Sequence, residues 1–154
     1  LPSLTDRLQA VQGRTVVDFG VKPGTRLDLH ASAHGKLALA FGPPELLGGI
    51  TRASMRSWTS DTVTSLPALK KAVALIRKQG WATAANEIVP GVNALAAPIF
   101  DHRSTYAGAI AIIGSTHTIE AHPSAHLIEL VTRAARHISS ALGHPGARHQ
   151  GEDI

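Results

Sequence analysis

The chain has 154 residues, 44% hydrophobic and 17% charged, with 15 Lys and Arg against 11 Asp and Glu for a formal charge of +4. That length and balance fit one globular domain with a substantial core, and no run of about 18 apolar residues offers a membrane span. The absence of cysteine excludes disulfides and thiolate metal sites.

A pI of about 10 invites a nucleic-acid reading. The basic residues argue against it, because they are spread from Arg7 to Arg148 and few aromatics accompany them. No secretory leader pattern opens the chain, so the expected location is cytoplasmic. The opening Leu1-Pro2 lacks an initiating Met, as a fragment of a longer protein would.

In chain order, 4–11 and 15–19 are expected as short strands around the turn Gln12-Gly13-Arg14, and Arg26–His30 as a third after Lys22-Pro23-Gly24-Thr25. Ser32 is an N-cap for a helix running to Phe41, with Leu37, Ala40 and Phe41 at helical spacing. Gly35 in its first turn costs about 1 kcal/mol against alanine, which implies close approach of a backbone or a ligand. A short helix follows from Pro44 to Leu47, stopped by Gly48-Gly49, and then a connecting segment, 51–64, with room for one short helix. Ser65 starts a helix over Leu66–Gln79, with Leu69, Val73 and Ile76 inward, Lys70, Lys71, Arg77 and Lys78 in solvent, and Gly80 at its end. Trp81–Ala85 is a strand. The last helix, Pro123–Leu142, should bury Leu127, Leu130, Val131, Ala134, Ile138 and Ala141. The domain is expected to end at residue 143, with 144–154 a disordered tail.

The stretch from Gly91 to Gly114 organises the rest. Two strands, 93–101 and 105–113, are joined by His102-Arg103-Ser104. Alternation places Leu95 and Ile99 on one side and Ala94, Ala96 and Phe100 on the other; in the second strand Tyr106, Ile110 and Ile112 oppose Ala107, Ala109, Ala111 and Ile113. One face is bulky and the other mostly alanine, yet neither is polar, so both are covered. The last helix is the natural cover for the bulky face. Alanine on a covered face leaves volume that a closely packed helix or a small molecule must fill.

Catalytic and metal signatures are poor. His30/His34 and His122/His126 have i, i+4 spacing without a third ligand. A phosphate loop and a G-x-S-x-G elbow are absent, and Ser32, His34 and Glu87 make a weak triad, since a capping serine is already engaged. A binding site fits better. The helix start at Ser32 presents the amides of Ala33, His34 and Gly35, an anion receptor if it faces the alanine side of the hairpin.

Three islands then resemble a known family. Leu27–Phe41, LDLHASAHGKLALAF, resembles the L-H-A-[ST]-A-x-G-K-x-x-L-A segment of the effector-binding domain of IclR-type transcriptional regulators. Gly80-Trp81, Glu87 and Gly91 through Asp101 resemble its G-[YW]…E…G-x-x-x-[IL]-A-A-P-[IV]-F-D, and the 106–114 strand follows in order. The resemblance implies a GAF/PAS-like α+β fold, an antiparallel sheet of about six strands flanked by helices. It also implies a small-molecule effector, dimers or tetramers, no enzymatic activity, and no cofactor. DNA would be read by an N-terminal winged helix-turn-helix that this chain lacks, so the fragment itself would not contact nucleic acid.

Family members that sense small keto acids take ligand contacts from the start of the capped helix, here Ala33 and His34. Their acidic position falls on Ala84, their cysteine on Ala94, and two serines on Ala111 and Ile113. The polar side chains of that pattern are therefore replaced, which disfavours glyoxylate- or pyruvate-like ligands because nothing offsets their desolvation. The reading is a sensor of a more apolar or aromatic organic acid, lodged against Ser32, Ala33, His34, Gly35, Ala84, Ala94, Ala111 and Ile113. A stand-alone GAF-like binding module or an unrecognised enzyme is the alternative.

Overall fold

The fold is built on a hairpin whose turn is held by one carboxylate. A computed structural model of the chain describes residues 25–147. Strands β1 (Ala82–Thr83), β2 (Val92–Phe100) and β3 (Tyr106–Ser115) pair antiparallel in that order. At the β2–β3 turn, Asp101 Oδ1 accepts from the amides of Arg103 at 2.8 Å and Thr105 at 3.0 Å. Those amides favour the charged form and hold the Asp101 carboxyl below the usual carboxylate range.

The register pairs Leu95 with Ile112, Ala96 with Ala111 and Ala94 with Ile113, so the bulky and small faces form as alternation implies. Tyr106 departs from that expectation. Pairing slips from Ile99–Gly108 to Phe100–Tyr106, a bulge that turns Tyr106 to the alanine side. There it packs edge-on to Phe100, with ring centroids 6.5 Å apart, and burial pushes its phenol above the ordinary value. Ala107, expected on the covered alanine face, is exposed.

Helix α1 (Ala33–Phe41) covers most of the alanine face, with Ala33, Leu37 and Ala40 in one cluster with Ala84 and Ala96. Helix α3 (Leu66–Gln79) packs on its far side through Leu69, Val73 and Ile76, which is why α1 is buried nearly all round. A Cβ on Gly35 would lie 2.4 Å from Leu29 Cα and 2.7 Å from the Asp28 oxygen. The partner that requires glycine is thus a backbone. Between α1 and α3 lie the short helix α2 (Pro44–Gly48) and a 3-10 turn, Arg52–Ser54. Arg77, exposed as expected, also donates from Nε to Ala40 O at 2.8 Å and so caps the C-terminal end of α1.

Helix α4 (Ala125–Ala141), capped by Ser124, lies on the bulky face, where Leu127, Ile128, Val131 and Ala135 meet Leu95 and Ala97. Its buried line runs through Val131, Ala135 and Ser139. Leu130, expected inside, is 39% exposed, and Ala141 is also outside. The rotation is set by Ser139, whose hydroxyl donates to Ala135 O and accepts from Phe100 N, both satisfied inside the interface.

The expected strand 26–30 does not join the sheet. Ala31 N, Ser32 N and Ser32 Oγ all donate to Asp28 O, which bends the chain into the start of α1 instead. The described residues hold three strands where about six were anticipated; the segments 4–11 and 15–19 lie outside the described residues. Past Gly143, Pro145–Ala147 forms a 3-10 turn and the His144 ring lies 5.5 Å from Phe100, so the expected tail begins with structure. Residues 148–154 fall outside the description. Among the described residues no helix is long and apolar enough to cross a membrane.

Candidate functional site

One end of the alanine face is left uncovered by α1, and a cavity of about 250 Å³ opens there. Ala84, Val92, Ala94 and Ile113 form its sheet-side wall, Ile88 and Val89 a second wall, and Ala33 and His34 the α1 side. The volume is ample for a ring, given that a cavity of about 150 Å³ can hold benzene.

Local chemistry explains each wall. Ser32 has extended backbone angles, and its Oγ accepts from Gly35 N at 3.0 Å while donating to Asp28 O at 2.8 Å. Its hydroxyl is therefore spent on structure, whereas the amides of Ala33 and His34, in the first helical turn, have no intrahelical acceptor. The Ile88–Val89 wall is held by its flanks. Asn86, at φ +60°, takes Gly91 N on its side-chain oxygen at 2.7 Å. Thr59 and Thr62 hydroxyls donate to the carbonyls of Asn86 and Glu87, each at 2.6 Å.

Behind that wall lies a buried ion pair. Lys36 Nζ meets Glu87 Oε1, with Lys36 4% and Glu87 8% exposed. Among the described residues, Glu87 Oε2 is buried without a hydrogen-bond partner. Burial pushes the Glu87 carboxyl upward, only partly offset by the Lys36 ammonium, the Val63 amide and His30. Burial likewise holds the His34 imidazole below its ordinary value. His30, also buried, donates from Nε2 to Arg56 O at 2.8 Å. Among the described residues no three potential ligand side chains converge.

Of the eight candidate residues, Ser32, Ala33, His34, Ala84, Ala94 and Ile113 line the cavity. Two do not. Gly35 turns toward the Asp28–Leu29 backbone, and Ala111 lies opposite Ala96 in the cluster packed beneath α1. Close helix packing holds over the middle of the small face, and space remains at one edge. Sequence reasoning missed Arg26, Asp28 and Trp58, which also line the cavity. Assigning 26–30 to the sheet concealed the first two, and no spacing rule links Trp58 to them across thirty residues.

The family described as bacterial transcriptional regulator IclR C-terminal matches residues 8–140. The HTH-type transcriptional repressor AllR of Salmonella typhi is 36% identical over 121 residues, 78% of this chain and 44% of its own length. This chain thus spans less than half of that relative. The crystal structure of the transcriptional regulator YaiJ superposes with a TM-score of 0.77 at 28% identity, over 84% of this chain and 74% of that one. An IclR homolog from Microbacterium hydrocarbonoxydans, complexed with 4-hydroxybenzoate, shares the fold with a TM-score of 0.75 at 22% identity, over 86% of this chain and 53% of its own.

Proposed function

This chain belongs to the IclR family of bacterial transcriptional regulators, matching its C-terminal, effector-binding domain, and from that premise we propose that it senses a small organic acid more apolar or aromatic than glyoxylate or pyruvate. The observation that carries the reading is the cavity at the α1 start: apolar walls at one end, unpaired amides with a helix dipole at the other. In this reading the carboxylate lies against the Ala33 and His34 amides, with His34 and Arg26 as side-chain partners. The hydrocarbon part rests on Ala84, Ala94 and Ile113. A two- or three-carbon keto acid would leave most of the volume unfilled and find few side-chain donors.

Binding would then alter DNA affinity through a winged helix-turn-helix elsewhere in a longer protein, in a homodimer or homotetramer. The domain acts as a receptor and performs no chemistry of its own. That a protein of the same fold holds 4-hydroxybenzoate makes ring acids the first probes. The test is a thermal-shift screen of aromatic and aliphatic monocarboxylates beside glyoxylate and pyruvate, since a ligand at about 100 times its Kd adds about 2.7 kcal/mol of stability. Stabilisation by larger acids and not by the two keto acids is the expected result; a response confined to glyoxylate or pyruvate defeats it.

A further inference from the structure

An anionic ligand in this cavity would share it with a carboxylate. Asp28 lines the space, half-buried, and its Oδ2 accepts from Trp58 Nε1 at 2.6 Å. Trp58 stands at the rim, 44% exposed, with the Arg56 guanidinium carbon 3.9 Å from its ring centroid. Its backbone is tied down as well, since the amides of Trp58 and Thr59 both donate to Thr62 Oγ1, at 3.0 and 2.9 Å. The indole therefore forms a wall and fixes one oxygen of Asp28 together.

The second oxygen, Oδ1, has no partner among the described residues, and Asp28 forms no ion pair with a described base. Arg26, two residues earlier on the extended segment before α1, lines the same cavity. The lining thus holds a positive group and a negative one that do not neutralise each other. A ligand that is only an acid would satisfy Arg26 and the α1 amides, yet press apolar atoms or a second anion against Asp28. Desolvating a carboxylate without giving it a donor is costly. A ligand that brings both an acceptor and a donor removes the conflict.

We infer that the effector carries a hydrogen-bond donor, a hydroxyl or an N–H, set apart from its carboxylate, and that Asp28, oriented by Trp58, selects for it. This rests on the acid-sensing reading above. The probes are pairs that differ by methylation of the donor: the three hydroxybenzoates against the three methoxybenzoates, and 6-hydroxyhexanoate against 6-methoxyhexanoate, read by calorimetric titration and thermal shift.

In the unaltered protein at least one hydroxyl acid binds about ten- to a hundredfold tighter than its methyl ether, the span expected of one hydrogen bond to a charged group. In D28N the amide oxygen can still accept from Trp58 while its other atom becomes a donor, so the preference falls to within about threefold or turns toward the ether. Equal affinity for both members of every pair overturns the role of Asp28 and leaves acid sensing standing, as does a preference that survives unchanged in D28N. Absence of any response to either kind of acid overturns acid sensing and this inference with it. Equal affinity in the unaltered protein overturns the role of Asp28 even if D28N does not fold.

Discussion

The Lys36 ammonium and the Glu87 carboxylate meet in the interior, joining α1 to the segment whose next residues, Ile88 and Val89, wall the cavity. Lys36 also reaches Thr83 O at 3.4 Å, so one cation bridges α1, β1 and the loop. Removing one partner of such a pair leaves the other charge uncompensated.

Lys36→Met should therefore cost about 3–5 kcal/mol at neutral pH by urea unfolding. The loss should shrink as pH falls. Burial already raises the Glu87 carboxyl, and losing Lys36 removes the leading opposing influence, so the folded state of the variant takes up a proton more readily than the unfolded one. Its stability is then greatest below the ordinary Glu value and declines as pH rises through the raised one. A Lys36→Met/Glu87→Leu pair should recover most of the difference and lose the pH slope. A single variant as stable at pH 7 as at pH 5 would contradict this account.

Gly35 and Gly48 provide a contrast in backbone clearance. Gly35→Ala sets a Cβ 2.4 Å from Leu29 Cα, so the loss should reach or exceed the upper end of the about 1–3 kcal/mol typical of overpacking. Gly48→Ala meets nothing within 4 Å in a helical position and should be neutral or stabilising by about 0.4–1 kcal/mol. Melting temperatures of the two variants decide it.

Ala94 and Ala111 separate cavity from packing. Ala94→Leu extends into open volume, so the fold should survive with an altered melting temperature of at most a few degrees, while stabilisation by acids disappears. Ala111→Leu drives a side chain into α1 and should cost about 1–3 kcal/mol. If both variants lose stability alike, the space beside Ala94 is not available to a ligand.

His34 should report on the carboxylate by pH. Its imidazole is held below the ordinary value by burial, so between that lowered value and about 6.5 the unfolded state binds more protons. Stability of the free protein accordingly drops as pH falls through this window, and His34→Ala removes that share of the slope. An acid beside the ring reverses the preference, making binding tighter from pH 7 toward 5.5. The variant should bind the acid about tenfold more weakly with a flatter pH dependence, and bind the corresponding primary amide unchanged. Equal losses for acid and amide would remove His34 as a carboxylate partner.

Much of the fold was legible because it is local. The Ser32 cap and the 101–105 turn depend on side chains bonding to backbone within a few residues, and the left-handed Gly80 closes α3; all stand where the sequence places them. The two-faced hairpin follows from alternation alone, and the family islands follow from residue order. Where a residue's neighbour is distant, the reading failed. Leu130 was placed inward because leucine prefers burial, but Ser139 bonds to Phe100 and turns α4 away from it. Tyr106 changed faces through a bulge that its own residue type does not announce.

The candidate site divides along the same line. The chain's order of residues established a capped helix beginning at Ser32 and a sheet face trimmed to methyl groups, because both are written in spacing. Only the folded molecule decided that α1 fills the space over Ala111 and leaves it beside Ala94, and that Trp58 comes across to orient Asp28 at the rim. Those outcomes depend on how far one helix slides along a sheet and which loop arrives beside it, relations between distant segments that no local periodicity encodes.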